Sequence, residues 1–321
     1  MTSLTLGLIA AICWGLHDIT IRYLSRTAPM MGCLLSVLAI GAGLQAAALL
    51  ISGTNPVRVD ALVLAVSAGI AFLLANVGLY FSFARGPVRL VSPIIACFSV
   101  ISVGIAVLEG TQLQVSHAIA IGVLMLGITI VGLFTPEDDQ EFPSLGPTIG
   151  FAVLAAFGFA GTFKLGQLAA EASTDLSASL ISRLTALVLL GSVLSWSGKP
   201  IAPGWAAVLP LIGMGILDSV AIFSVISAAP LPNPEYAAVA TSTFGLLTIV
   251  LAWGLLKEAM STAQWVGCLL ASAGLDIWPF SPANLPPSGG VEQPSHSASR
   301  SPPSRTNPTW NLCDPARNIN H

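Results

Sequence analysis

Polar residues punctuate this chain rather than alternate along it. Apolar runs of about twenty residues follow one another, each closed by a short cluster of charge, Gly or Pro. About twenty apolar residues is what a helix needs to cross a bilayer core of about 30 Å. The pattern predicts ten spanning helices, at 4–24, 30–52, 60–83, 88–108 and 116–134, then 146–169, 177–197, 205–228, 235–256 and 262–280. Ser25–Pro29, Gly53–Pro56, Ala84–Pro87 and Glu109–Gln112 separate the first five. Between the two sets lies 136–145, which carries Glu137, Asp138, Asp139 and Glu141 and is the most acidic loop in the chain. From Ser281 to His321 the apolar period stops and Pro, Ser, Asn and Gly take over, the signature of a disordered tail.

Composition reinforces the pattern. Of 321 residues, 54% are hydrophobic and only 8% are charged, with a mean hydropathy of +0.83. Soluble domains carry roughly a quarter charged residues, so the chain is an all-α membrane protein. A net charge of −3 offers no basic field for nucleic acid. The five cysteines, Cys13, Cys33, Cys97, Cys268 and Cys313, show no paired spacing, and four lie in apolar runs. They read as small core residues, neither disulfide framework nor metal site. The first apolar run lacks a basic leader and contains His17 and Asp18, so it reads as a spanning helix rather than a cleaved signal.

The two sets of five helices echo each other. Gly7–Gly15 (GLIAAICWG) lies over Gly150–Gly158 (GFAVLAAFG) without a gap, and Val115–Gly122 over Met260–Gly267. An odd number of helices per copy inserts the second copy upside down. The expected organisation is therefore two inverted five-helix repeats, 1–135 and 146–280, joined by an acidic linker at 136–145 and followed by the tail at 281–321.

Candidate chemistry begins in the first helix. Trp14, Asp18 and Arg22 recur every four residues and share one face. A carboxylate at membrane depth faces a bundle interior or a watery cavity as a rule, which makes Asp18 a candidate proton- or cation-binding group. An intrahelical ion pair with Arg22 is the bland alternative. His17 sits about 100° round the helix and either shares the cavity or packs. Asp218 is the second intramembrane acid, in the eighth helix. Asn76 and Tyr80 share a face of the third. Lys164 and Arg183 are basic residues of the sixth and seventh helices, and Glu258 sits at the junction between the last two. Pro93 and Pro210 can kink their helices. Gly122, Gly127 and Gly132 thin the fifth helix for close contact.

Several of these landmarks look like a known family. Trp14-Gly15, Pro29 opening the second helix, Glu109 before a Gly-rich fifth helix, and the run Leu256–Gly267 (LKEAMSTAQWVG) resemble the drug/metabolite transporter superfamily, and within it the EamA-type family. The likeness covers residues 1 to about 280. One departure is that Arg183 of the seventh helix has no counterpart near Ser36 of the second; another is the longer spacing from Glu109 to Gly122 than from Glu258 to Gly267. The resemblance implies a secondary transporter that moves a small metabolite or drug-like solute by alternating access. It implies export across a bacterial-type inner membrane, protons as the coupling ion, and a cavity lined by the third and eighth helices. It also places both termini in the cytoplasm. The basic residues oppose that orientation, since Arg22, Arg26, Arg85, Arg89, Lys199 and Lys257 all fall opposite the termini.

The partners expected are therefore a small-molecule substrate, the bilayer and protons, with no cofactor and no nucleic acid. No Walker A sequence marks an ATP motor, and neither H-E-x-x-H nor G-x-S-x-G marks a hydrolase. Two other readings stay open: an intramembrane enzyme using Asp18 and Asp218 as a pair, or a non-transporting membrane subunit.

Overall fold

A computed structural model gives the fold, and it describes residues 2–24, 28–53, 58–85, 91, 94–112, 115–134, 145–198, 202–256 and 261–277. These belong to one compact unit. Every regular element among them is helical: α1 Ser3–Leu24, α2 Met30–Ser52, α3 Val59–Arg85, α4 Phe98–Leu108, α5 Val115–Leu133, α6 Leu145–Ala172, α7 Asp175–Ser197, α8 Val208–Ile226, α9 Glu235–Thr241, α10 Phe244–Leu256 and α11 Thr262–Ile277. Among the described residues, six stretches are long and apolar enough to span a membrane: Ser3–Ile21, Met30–Ser52, Ala61–Arg85, Gly146–Ala172, Asp175–Ser197 and Trp205–Ile226. Large apolar side chains cover the outside, among them Leu50, Ile51, Val188 and Val193. Trp196 and Trp205, at the end of α7 and just before α8, are almost fully exposed, where amphipathic rings settle at a membrane interface.

The expected ten helices are all represented, but two are not continuous. The fourth is interrupted at Cys97, before α4. The ninth breaks at Ser242 and Thr243 into α9 and α10. A run of hydroxyls makes the second break possible. Thr241, Ser242 and Thr243 return their side-chain hydroxyls to the carbonyls of Ala237, Val239 and Ala240, at 2.6, 2.7 and 2.7 Å. Such local bonds satisfy groups that an uninterrupted ladder would otherwise use. Hydrophobic length alone could not see this, because three small hydroxyl residues are too short a polar stretch to end a spanning run.

The helices pack across the halves of the chain more than within them. α1 lies against α8, as α6 lies against α3; α1 also meets α9 and α10, as α6 meets α4. α2 packs on α8, as α3 packs on α7, while α2 meets α7, α4 meets α9 and α5 meets α11. Each of these contacts thus has a mate related by exchanging the halves, or is its own mate. The helix ends match too, since α2 stops at Gly53 and α7 at Gly198, both at φ 61°. That left-handed conformation costs glycine no Cβ clash.

The anticipated glycines of the fifth helix do not behave alike: Gly127 is buried, whereas Gly122 is exposed, and the Gly132 position lies outside the described side chains. Gly122 meets nothing within 4 Å, so it does not serve a helix contact. The tight approaches are on α3 and α6, where a Cβ on Gly158 would come 2.6 Å from the Ala75 nitrogen and one on Gly78 would come 2.6 Å from the Phe151 carbonyl. On α1, Gly7 lies against Ala237. Pro210 falls in the first turn of α8, where no intrahelical donor is lost. Pro93 lies outside the described residues.

Candidate functional site: a membrane-buried aromatic chamber

The interior where α1, α3, α4, α6 and α10 converge holds a narrow chamber lined by Trp14, Asp18, Asn76, Leu79, Phe98, Phe159 and Phe244. Its free volume is about 10 Å³, close to the least that holds one water, so the chamber is nearly closed in this conformation. Helical spacing explains the contribution of α1: Trp14 and Asp18 are one turn apart, so both reach the same wall. Asn76 and Leu79 arrive likewise from α3.

The two helix breaks supply two of the rings. Phe98 follows the interruption at Cys97, and Phe244 follows the break at Ser242 and Thr243. Their rings face each other at 6.4 Å and 19°. Phe98 also meets Phe163 edge-on at 5.4 Å. Trp14 stacks on Phe163 at 5.7 Å and lies tilted against Phe159 at 5.5 Å. Aromatic pairs at these separations contribute about 0.5–1.5 kcal/mol each beyond area burial.

A charged knot stands behind the tryptophan. Trp14 Nε1 donates to Asp218 Oδ1 at 2.9 Å, and Arg183 Nη1 donates to Asp218 Oδ2 at 2.6 Å. Arg183 and Asp218 are 1% and 3% exposed. Arg183 lies a little over two turns inside α7, about 12 Å from its end at 1.5 Å per residue, and Asp218 lies equally far from the end of α8. The pair is therefore near the middle of a core about 30 Å thick. The guanidinium also lies 5.5 Å from the centroid of the Phe72 ring, and Gly41 makes room for it, since a Cβ there would come 2.5 Å from Nη1. Three helices, α1, α7 and α8, are tied through one carboxylate.

Asp18 is held quite differently. Its Oδ1 meets His17 Nδ1 at 3.3 Å. Its Oδ2 is buried without a hydrogen-bond partner among the described residues, as are His17 Nε2 and the Tyr80 hydroxyl. Tyr80 is 1% exposed. Asn76 spends its amide on the Phe72 carbonyl of its own helix, at 2.8 Å. Asp18 and Asp218 share no hydrogen bond: one is engaged by His17, the other by Trp14 and Arg183.

A second, wider pocket of about 150 Å³ opens at the face where α4 ends and α9 begins. Glu109, Thr111, Lys164, Gln167 and Glu235 line it, and Phe163 separates it from the chamber. Lys164 donates to Glu109 across the halves of the chain, and Gln167 bonds the Val225 and Pro234 carbonyls at 3.0 and 3.1 Å.

The structure thus brings Trp14, Asp18 and Asn76 to one chamber, with His17, Tyr80 and Asp218 close by. Lys164 stands apart in the outer pocket, and Arg183 serves Asp218. The Arg22 side chain and all of Glu258 lie outside the described residues. No group of His, Cys, Asp and Glu among the described residues is arranged for a metal ion. The rings of Phe98, Phe159 and Phe244 escaped the reading of the sequence. Two of them follow small polar residues inside an apolar run, Cys97 and Thr241-Ser242-Thr243, and that was the available signal.

No curated protein matches the chain. One solved structure, titled only "Crystal structure of protein", superposes with a TM-score of 0.70 over 86% of this chain and 95% of its own, at 17% identity. That likeness establishes a shared fold. The sequence of residues 146–277 matches the EamA-like transporter family. The protein is an integral multi-pass membrane protein whose residues 146–277 form a domain of the EamA-like transporter family, within the drug/metabolite transporter superfamily.

Proposed function

We propose that the protein is a secondary transporter that exports a small solute by alternating access and couples it to protons at Asp18, in a plasma membrane of the bacterial inner-membrane type. The observation that carries the reading is Asp18 itself: a carboxylate 5% exposed, at a chamber wall, with one oxygen unpartnered among the described residues. Intramembrane acids of this kind mark ion and proton pathways. The two halves, 1–135 and 146–280, act as inverted repeats that rock about the chamber, and the mated contacts between helices support that motion. Discontinuous helices at the solute site, here before Phe98 and Phe244, suit the same architecture.

Asp218 has the opposite task. Arg183 and Trp14 occupy both of its oxygens, so it stays charged and holds the walls together while Asp18 exchanges its proton. An aspartyl enzyme needs two carboxylates sharing a proton. With Asp218 committed elsewhere, that alternative has no support in the geometry.

The test is accumulation in proteoliposomes carrying the full chain, with a panel of small metabolites, with and without a pH gradient. Wild type is expected to accumulate at least one solute when a gradient is imposed. Asp18→Asn should lose gradient-driven accumulation while keeping exchange of that solute. Full accumulation by Asp18→Asn would remove Asp18 from coupling.

A further inference from the structure

The chamber is nearly closed while the outer pocket is open, and one side chain stands between them. Phe163 is 2% exposed. On its outer side it lines the outer pocket with Lys164, Gln167 and Glu235. On its inner side its ring meets Trp14 at 5.7 Å and Phe98 at 5.4 Å, both of them chamber walls. A solute passing from the pocket to the chamber has to displace that ring. The pocket opens on the face where α1 starts: Ser3 Oγ donates to the Pro232 carbonyl at 2.8 Å, beside Pro234 and Glu235 of the pocket wall. Phe163 is nine residues from Ala172, the last of α6, so it lies about 13 Å in from that end of the helix.

The next residue along α6 ties the two halves of the chain together across the pocket. Lys164 donates to Glu109, which caps α4. The two side chains are 30% and 50% exposed, so water screens the pair and it breaks at little cost. α4 holds the partners of both residues, Phe98 at its start and Glu109 at its end. One movement of α6 against α4 therefore opens the ion pair and draws the Phe163 ring away from Phe98. The opposite face has no such ring. The ungapped match of Gly7–Gly15 with Gly150–Gly158, carried five residues further, puts Thr20 at the place of Phe163. The Thr20 hydroxyl donates to the Leu16 carbonyl of its own helix at 3.1 Å.

We propose that Phe163 and the Lys164–Glu109 pair form a one-sided gate on the face where α1 starts. The ring is the seal between the outer pocket and the chamber, and the ion pair is the latch that keeps the seal shut. The proposal rests on the transporter reading and adds to it the residues that control access to the chamber from that face. The outer pocket, with about 150 Å³ free, has room for a solute of about benzene's size to wait outside the seal. Opening takes the loss of a solvent-screened ion pair and the rotation of one aromatic side chain. Neither event disturbs the bonds that hold Asp218 to Trp14 and Arg183.

The rate of labelling at a single chamber cysteine tests the gate. The full chain, with its native cysteines replaced and Leu79→Cys on the chamber wall, is reconstituted in liposomes and exposed to a membrane-impermeant maleimide from one face at a time. Phe163→Ala should speed labelling from the face where α1 starts by about ten-fold or more, while Phe163→Tyr, which keeps the ring, should stay within about two-fold of the reporter chain. Lys164→Ala and Glu109→Gln should each speed it about two- to five-fold, and the exchange Lys164→Glu/Glu109→Lys should bring it back to within about two-fold. Labelling from the opposite face should not rise in any variant. Unchanged rates in Phe163→Ala or in both latch variants, no recovery in the exchange, or equal acceleration from both faces overturns the gate. The latch variants decide it if Phe163→Ala fails to fold, because an exposed pair contributes little to stability. The two readings fail separately. Unchanged rates with gradient-driven accumulation intact refute the gate and keep the transporter, whereas absence of all gradient-driven accumulation in wild type refutes the transporter whatever the rates.

Discussion

Replacing Arg183 by Met should be among the most damaging single changes in the bundle. The guanidinium is 1% exposed and sits 2.6 Å from a carboxylate that is 3% exposed. Arg183→Met leaves Asp218 buried with its charge uncompensated and only the Trp14 indole as partner. Breaking a buried ion pair in this way costs about 3–5 kcal/mol. Since about 1.4 kcal/mol is a factor of ten, the folded-to-unfolded ratio should fall by roughly two to three and a half orders of magnitude. Removing both charges costs less. In Arg183→Met/Asp218→Leu the remaining penalty is the Trp14 donor left without an acceptor, about 1–3 kcal/mol. The double variant should therefore be about 2 kcal/mol more stable than the single one. Equilibrium unfolding in mixed micelles of mild detergent and SDS, followed by far-UV circular dichroism, reads both values. The reasoning fails if Arg183→Met costs less than about 1 kcal/mol, as an exposed pair would. It fails equally if the double variant is no more stable than the single one.

The other ion pair gives the contrast. Lys164 and Glu109 have side chains 30% and 50% exposed, so Lys164→Ala should change stability by no more than about 1 kcal/mol in the same assay. Trp14→Phe keeps a ring in the chamber but removes the donor to Asp218, and should cost about 1.5–3 kcal/mol, the range for a bond to a charged group. Gly158→Ala places a Cβ 2.6 Å from backbone that has no room to yield, so a loss of about 1–3 kcal/mol is expected. Gly122→Ala meets nothing within 4 Å and should be neutral or stabilising by up to about 1 kcal/mol. A larger loss at Gly122 than at Gly158 would contradict the packing of α3 on α6.

Spanning helices were legible because hydrophobic length is a strong signal in a chain this apolar. Asp18 and Asp218 were legible as exceptions, since a charge in a spanning run has few innocent explanations. What escaped was whatever depends on partners distant in sequence. Arg183 and Asp218 are separate oddities on paper, and only the packing of α7 on α8 makes them a pair. Gly122 looked like a contact glycine because small residues thin a helix, yet which glycine meets a neighbour depends on rotation about the helix axis. The breaks before Phe98 and Phe244 were marked only by Cys97 and by Thr241-Ser242-Thr243, too short a polar signal to end a long apolar run, and with them the aromatic half of the chamber was missed. Lys164 read on paper only as a basic residue of the sixth helix, and its partner proved to be Glu109 from the other half of the chain.

The central claim is that the chamber beside Asp18 is reached from both faces of the membrane in turn. Its most direct test uses a chain with all native cysteines replaced and a single Leu79→Cys on the chamber wall, labelled by a membrane-impermeant maleimide from one face at a time. The account predicts labelling from either face, with the favoured face switching when pH or bound solute shifts the equilibrium. Absence of labelling from both faces under every condition would contradict it, leaving a closed bundle with no transport path.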